Sequence, residues 1–196
     1  MRIHHLSLLC CLLLIACNDS NDDDQTESSE NSQEDVSDNG GQESRSDGVS
    51  SSSDCEIPEE QELMLELVNQ ARSQQRRCGD ESMDAVELLT WNCELADAAV
   101  SHSEDMATVN FFSHTGSDGL SVADRVSNAG YSWSRVGENI AVGQRTVEVV
   151  MEGWLDSPGH CRNIMNSGYT HFGSSRVDTD AADYPVYWTQ VFATPR

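Results

Sequence analysis

The chain has 196 residues, of which 34 are Asp or Glu and 11 are Arg, with no lysine, giving a formal net charge of −23. An acidic balance this one-sided, with no basic cluster, argues against recognition of nucleic acid or of an anionic membrane through the protein's own surface, because both need cations against phosphate. The charge is spread unevenly, and the chain divides into three stretches of different composition.

Met1-Arg2 gives a positive start, and Leu6 to Ala16 is apolar but for Ser7. Eleven residues at about 1.5 Å each fall well short of a roughly 30 Å hydrocarbon core, so residues 1–16 suit a signal peptide and not a membrane-spanning helix. The run closes with Leu14-Ile15-Ala16-Cys17, which resembles a bacterial lipobox. That resemblance implies cleavage before Cys17 and a lipid on its thiol; two or three acyl chains anchor stably where one is marginal. Ordinary secretion with cleavage at a nearby small residue is the alternative. Residues 18–54 carry 12 Asp or Glu, one Arg (Arg45) and only Val36 and Val49 as branched apolar residues. Such a segment cannot bury enough apolar surface to offset its ordering entropy, so 17–54 reads as a lipidated N-terminus followed by a disordered acidic linker. At 5–6 Å × √n it spaces the domain roughly 30–35 Å from its anchor. An acidic tail that recruits a basic partner is the other reading.

Residues 55–196 hold the remaining 22 acidic and 9 basic residues, a net charge near −13, over a length typical of one domain. Ile57 to Gln75 is expected to be helical. Pro58 suits N1, Glu59, Glu60 and Glu62 meet the positive helix end, and Leu63, Leu67, Val68 and Ala71 form the apolar face; Gly79 closes the segment. Asn92 caps a second helix carrying Leu95, Ala98, Ala99, His102 and Met106 on one face. Ser121 to Asp124 reads as a capping-box variant opening a short helix that ends at Ala129-Gly130. Thr146 caps a fourth helix through Leu155, which Pro158-Gly159 is expected to end. Strand signals come late: Glu138 to Val142, then a hairpin of His171 to Val177 and Tyr184 to Ala193. The sum is an α+β domain with a small antiparallel sheet among helices. Trp91, Trp154 and Trp188 are expected in the core, and Trp133 is the aromatic expected at the surface.

Cys10 and Cys11 leave with the signal peptide and Cys17 is taken by lipid, so Cys55, Cys78, Cys93 and Cys161 remain. An even count in an exported domain reads as two disulfides, with three pairings open. No pair has the close spacing that a four-cysteine zinc site favours.

Five segments carry chemistry in order: Trp91 to Leu95 running into His102 to Met106, Phe112-Ser113-His114, Gly137-Glu138-Asn139-Ile140, Trp154 to His160, and Tyr187 to Val191. Together they resemble the bacterial branch of the CAP superfamily, also called SCP or PR-1-like, over about residues 60–194. The resemblance implies an α-β-α sandwich and a polar cleft that in many relatives holds two histidines and two glutamates able to bind zinc or another divalent cation. By position His114 matches the first histidine and Glu138 the first glutamate. The second glutamate falls at Ser157 and the second histidine at Tyr187, so two of the four ligands are missing. The resemblance also favours Cys78–Cys161, which leaves Cys55–Cys93.

His160, in the Ser-Pro-Gly-His turn, is the third candidate ligand beside His114 and Glu138, with Asn139 and Tyr187 nearby. Two imidazoles and one carboxylate with an open position would suit catalytic zinc; without a metal, a His–Glu pair serves as a base or a strut. His102 reads as a core histidine or as a support for the cleft, and His171 as a strand-end surface residue. No Gly-x-Ser-x-Gly elbow and no phosphate-cradling loop is present. The expectation is an exported, lipid-anchored monomer on the periplasmic or cell-surface face of the envelope, binding a ligand or an envelope or extracellular protein. A metal-dependent hydrolase acting on peptide or another envelope polymer is the rival.

Overall fold

The computed structural model describes residues 55–196, so the expected signal peptide, Cys17 lipidation and linker lie outside the described residues. The elements are α1 (Glu59–Arg72), β1 (Arg76–Cys78), β2 (Glu81–Met83), β3 (Thr90–Trp91), α2 (Cys93–Val109), α3 (Val122–Asn128), β4 (Trp133–Val142), α4 (Val147–Asp156), α5 (Pro158–Ile164), β5 (His171–Asp178) and β6 (Val186–Pro195). The central sheet runs β3-β5-β6-β4, antiparallel except for the two-residue β3 alongside β5. No described helix is long and apolar enough to cross a membrane.

Helices cover both faces, which makes the domain an α-β-α sandwich. The alternation of a strand decides what meets each layer. Trp188, Phe172 and Phe192 join Met64 and Val68 of α1, Trp154 of α4 and Ile164 of α5. Tyr187, Val191, Ala193 and Ile140 point the other way, against Leu95, Ala98 and Met106 of α2 and Val126 of α3. Gly173 lies between β5 and α2. A Cβ there would come under 3.0 Å from the backbone of Leu95 and Ala96, so the helix sits on bare strand backbone.

The capping signals are realised. Asn92 accepts from Leu95 N, Thr146 from Val149 N, and Ser121 and Asp124 form a reciprocal capping box. Other elements depart from expectation. Helix α1 ends at Arg72 and not near Gln75, because the Arg72 side chain turns inward and is fully buried. Its guanidinium donates to the carbonyls of Glu87, Ile164, Asn166 and Tyr169, and burial lowers its pKa to about 10. Gly79 does not stop a helix. At φ +65° it is the first central residue of the two-residue turn between β1 and β2, as a primed hairpin turn requires. Pro158 opens α5 at its first turn, where proline's fixed φ is already helical. Strand β4 begins at Trp133, whose half-buried indole donates to Ser127 Oγ at 3.0 Å. Strand β6 begins after Pro185. Disulfides join Cys55 to Cys93 and Cys78 to Cys161.

Candidate functional site

Glu138 sits mid-way along β4 opposite Val191, with its side chain on the α2 face and 2% exposed. An isolated carboxylate there would be costly, and both of its oxygens are occupied. Oε1 accepts from His114 Nδ1 at 2.8 Å, and Oε2 accepts from Arg125 Nη2 at 2.7 Å. Arg125, on α3, is itself buried; it also donates to Leu120 O at 2.8 Å and His114 O at 3.1 Å. One guanidinium therefore fixes both the carboxylate and the loop that presents the imidazole. Burial works to raise the Glu138 pKa. The His114 hydrogen bond, together with the Arg125 charge, outweighs it and holds the carboxyl below its ordinary range.

His114 leaves the Phe112-Ser113-His114 loop with its side chain 28% exposed. With Nδ1 committed to Glu138, the neutral ring carries its proton on Nδ1 and keeps a lone pair on Nε2, which has no protein partner among the described residues. His102, on α2, is fully buried behind it; its Nε2 donates to Ser113 O at 2.9 Å and lies 3.9 Å from Glu138 Oε1. Burial pushes the His102 pKa down, with Arg125 and His114 adding to the shift and Glu138 opposing it. His102 thus stays neutral and supports the loop from below. The group is a solvent-edged imidazole, an ionised carboxylate behind it and an internal cation behind that.

The other expected site residues do not join this group. Asn139 follows Glu138 on the strand and faces the opposite layer. Its Nδ2 donates to Gln190 Oε1 at 3.0 Å and to His160 O at 3.3 Å, and its Oδ1 accepts from Asn163 at 3.0 Å. His160 is buried in α5 on that far side of the sheet. Tyr187 shares the Glu138 face but stands further along β6, opposite Val142, buried against Met106 and Ile140, with its hydroxyl 3.5 Å from Asn110 Oδ1. Ser157 is buried at the junction of α4 and α5. His171, half-buried on β5 two strands from Glu138, hydrogen-bonds through Nδ1 with the Tyr131 hydroxyl at 2.6 Å on the same face of the sheet.

These residues do not fit a metal centre built from His114, Glu138 and His160. The sheet separates the third donor from the first two. Both carboxylate oxygens already carry a proton donor, and Arg125 holds the position in which a cation would be needed. Among the described residues, no three His, Cys, Asp or Glu side chains are grouped to hold an ion. Arg125 is what sequence reasoning did not assign, whereas His102 is both buried in the core and a support for the site, the two readings its sequence offered. Arg125 was one of nine arginines in the domain, and only the fold reveals which one meets Glu138.

A family model described as the cysteine-rich secretory protein family, CAP, matches residues 65–192. YkwD of Bacillus subtilis is 38% identical over 98 residues, 50% of this chain and 36% of that protein. The Bacillus subtilis membrane protein YlbC is 40% identical over 104 residues, 53% of this chain and 28% of that one. The matched segment therefore spans about a third of each of these relatives. Among solved structures, an extracellular protein containing an SCP domain from Bacillus anthracis superposes with a TM-score of 0.56 at 30% identity, covering 68% of this chain and 40% of that one. An outer surface protein of Borrelia burgdorferi gives 0.52 at 21% identity over 57% of this chain and 80% of that chain, a likeness of fold.

Proposed function

This chain belongs to the cysteine-rich secretory protein family, and from that premise we propose that it is an exported, lipid-anchored protein whose domain binds a ligand or protein partner at His114. The observation that carries the reading is the His114–Glu138 pair: one ring nitrogen is held by a buried, ionised carboxylate and the other edge meets solvent. A ring fixed this way offers a directional acceptor at Nε2 to a hydroxyl or amide N–H, and becomes a donor when protonated. Export is supported by the two disulfides, which persist in oxidising compartments, and by the run from Leu6 to Cys17.

A metal-independent binding role is favoured over a metal-dependent hydrolase because the donors available are a His–Glu pair clamped by Arg125. Ser113 Oγ, next to the ring in sequence, accepts from Thr115 N at 3.1 Å within its own loop. The test is nitrogen NMR of the His114 ring while peptides and saccharide fragments of cell-envelope polymers are added to the full chain, with and without chelator. A saturable shift at Nε2, lost in His114→Ala and unchanged by chelator, is expected. Substrate cleavage that chelator abolishes would establish the hydrolase in its place. Labelling with a fatty acid in a bacterial host, lost in Cys17→Ala, checks the anchor separately.

A further inference from the structure

On the layer opposite His114, α1 and α4 lie side by side and leave a groove between them. One stretch, of about 440 Å³, has Leu67, Met151 and Leu155 on its apolar floor. It continues past Glu148 into a second stretch of about 560 Å³ near the start of α1. Glu148, Glu152 and Asp156 stand along one wall at four-residue intervals, exposed, and none of them has a salt-bridge partner among the described residues. Glu66, across from them on α1, is likewise unpaired. Like charges at i, i+4 repel on a helix, so this column is unfavourable for the chain alone. Arg76, Arg145 and Arg176 also line the two stretches, but Arg176 is already paired with Glu60 and Asp178, none of the three forms a salt bridge to the column, and the lining carboxylates outnumber them.

We propose that this groove is a docking site for an extended basic peptide segment of another protein, with Lys or Arg at alternate positions and apolar residues between. Carboxylates four residues apart on a helix recur about every 6 Å, and alternate side chains of an extended peptide recur about every 6.6 Å. The two periods stay in register over the three carboxylates. Basic side chains on one face of the peptide then meet Glu148, Glu152 and Asp156 in turn, and the intervening apolar ones turn toward Leu67, Met151 and Leu155. Charge rules out the nearer candidates. Residues 18–54 carry 12 acidic residues against one Arg, and a second copy of the domain presents a net charge near −13 from 22 acidic and 9 basic residues. An anionic amphiphile meets the same repulsion.

The experiment measures the affinity of a labelled Lys-Leu-Lys-Leu-Lys-Leu-Lys peptide for the full chain at low and moderate salt. Its partners are Glu148→Gln/Glu152→Gln/Asp156→Asn and a control of equal net charge, Asp80→Asn/Asp97→Asn/Glu104→Gln, whose sites are exposed and outside the groove. The groove variant is expected to weaken binding tenfold or more and the control less than twofold, with the Ser-for-Leu peptide also weakened at least tenfold. Equal losses in the two variants would reduce the effect to net charge and overturn the proposal. Spermidine binding as tightly as the peptide, or sedimentation showing self-association through the groove, would overturn it too. Should the triple variant melt early, Glu152→Arg alone gives the same comparison.

Discussion

Arg125 Nη2 donates to Glu138 Oε2 across 2.7 Å, with both side chains buried between the sheet and α3. The contact makes the carboxylate's charge tolerable inside the fold.

Breaking it from one side leaves an uncompensated buried charge. Arg125→Met should therefore destabilise the domain by about 3–5 kcal/mol at pH 7, read from the denaturant midpoint. The loss should shrink toward pH 4, because protonating Glu138 relieves it. A variant that unfolds at the wild-type midpoint would show the pair to be energetically idle.

Two groups in the site have depressed pKa values, and they act on stability with the same sign. The His102 ring stays neutral in the fold below its usual 6.5, while the unfolded chain takes up the proton. Its contribution is complete above about pH 6.5 and is lost as the pH falls toward the folded value. Glu138 lies below 4.5 in the fold, so its contribution is complete above that value and is lost only at lower pH. Stability should be level above neutrality, decline below pH 6.5 and decline again below about pH 4.5. His102→Gln should flatten the first decline and leave the second. A wild-type profile level from pH 7 to pH 5 would contradict this.

The Cys78–Cys161 disulfide joins the β1–β2 hairpin to α5, bridging 83 positions of sequence. Cys78→Ala/Cys161→Ala should cost about 2–4 kcal/mol, chiefly by freeing the unfolded chain. The native-state effect should be local. Amide exchange should rise in residues 158–164, around His160, and not at His114, which is tied to Glu138 and Arg125 on the other layer. Equal acceleration at both places would show the two layers to be coupled more tightly than their contacts suggest.

Gly173→Ala is expected to cost more than 3 kcal/mol or to prevent folding. The added methyl meets backbone of α2, which can yield only by lifting the helix from β5. Gly130→Ala, where φ is +96° but nothing lies within 4 Å, should cost less, through backbone strain alone. Comparing the two thermal midpoints separates close approach from conformational freedom.

What could be read from the sequence is local chemistry. Asn92, Ser121 and Thr146 announce helix starts because a cap needs only residues a turn away. Gly79 was misread, and the helix that Pro158 opens was missed although α4 does end just before it, because the same residues serve two purposes. Glycine ends helices and also opens hairpin turns; proline ends one helix and begins the next. His114 and Glu138 were found through their segments, but Asn139 and His160 were grouped with them although strand alternation sends Asn139 to the other face. Arg72 and Arg125 show the limit most directly. Nothing in the local sequence sets either apart, and both are buried donors with acceptors far along the chain or on another element.

The Cys55–Cys93 bond lies at the very start of the described domain and encloses α1, β1, β2 and β3 in a covalent loop 38 positions long. Tension arriving along the chain from before Cys55 therefore passes through sulfur directly into the first turn of α2, which rests on the sheet. The first helix carries none of it. With that bond alone reduced, the same pull would act on the start of α1 and could draw out roughly 80 Å of chain, at 3.3–3.6 Å per residue, before the Cys78–Cys161 bond passed the load to α5. The crosslink is a mechanical bypass, and it places the load on the best-seated helix of the domain.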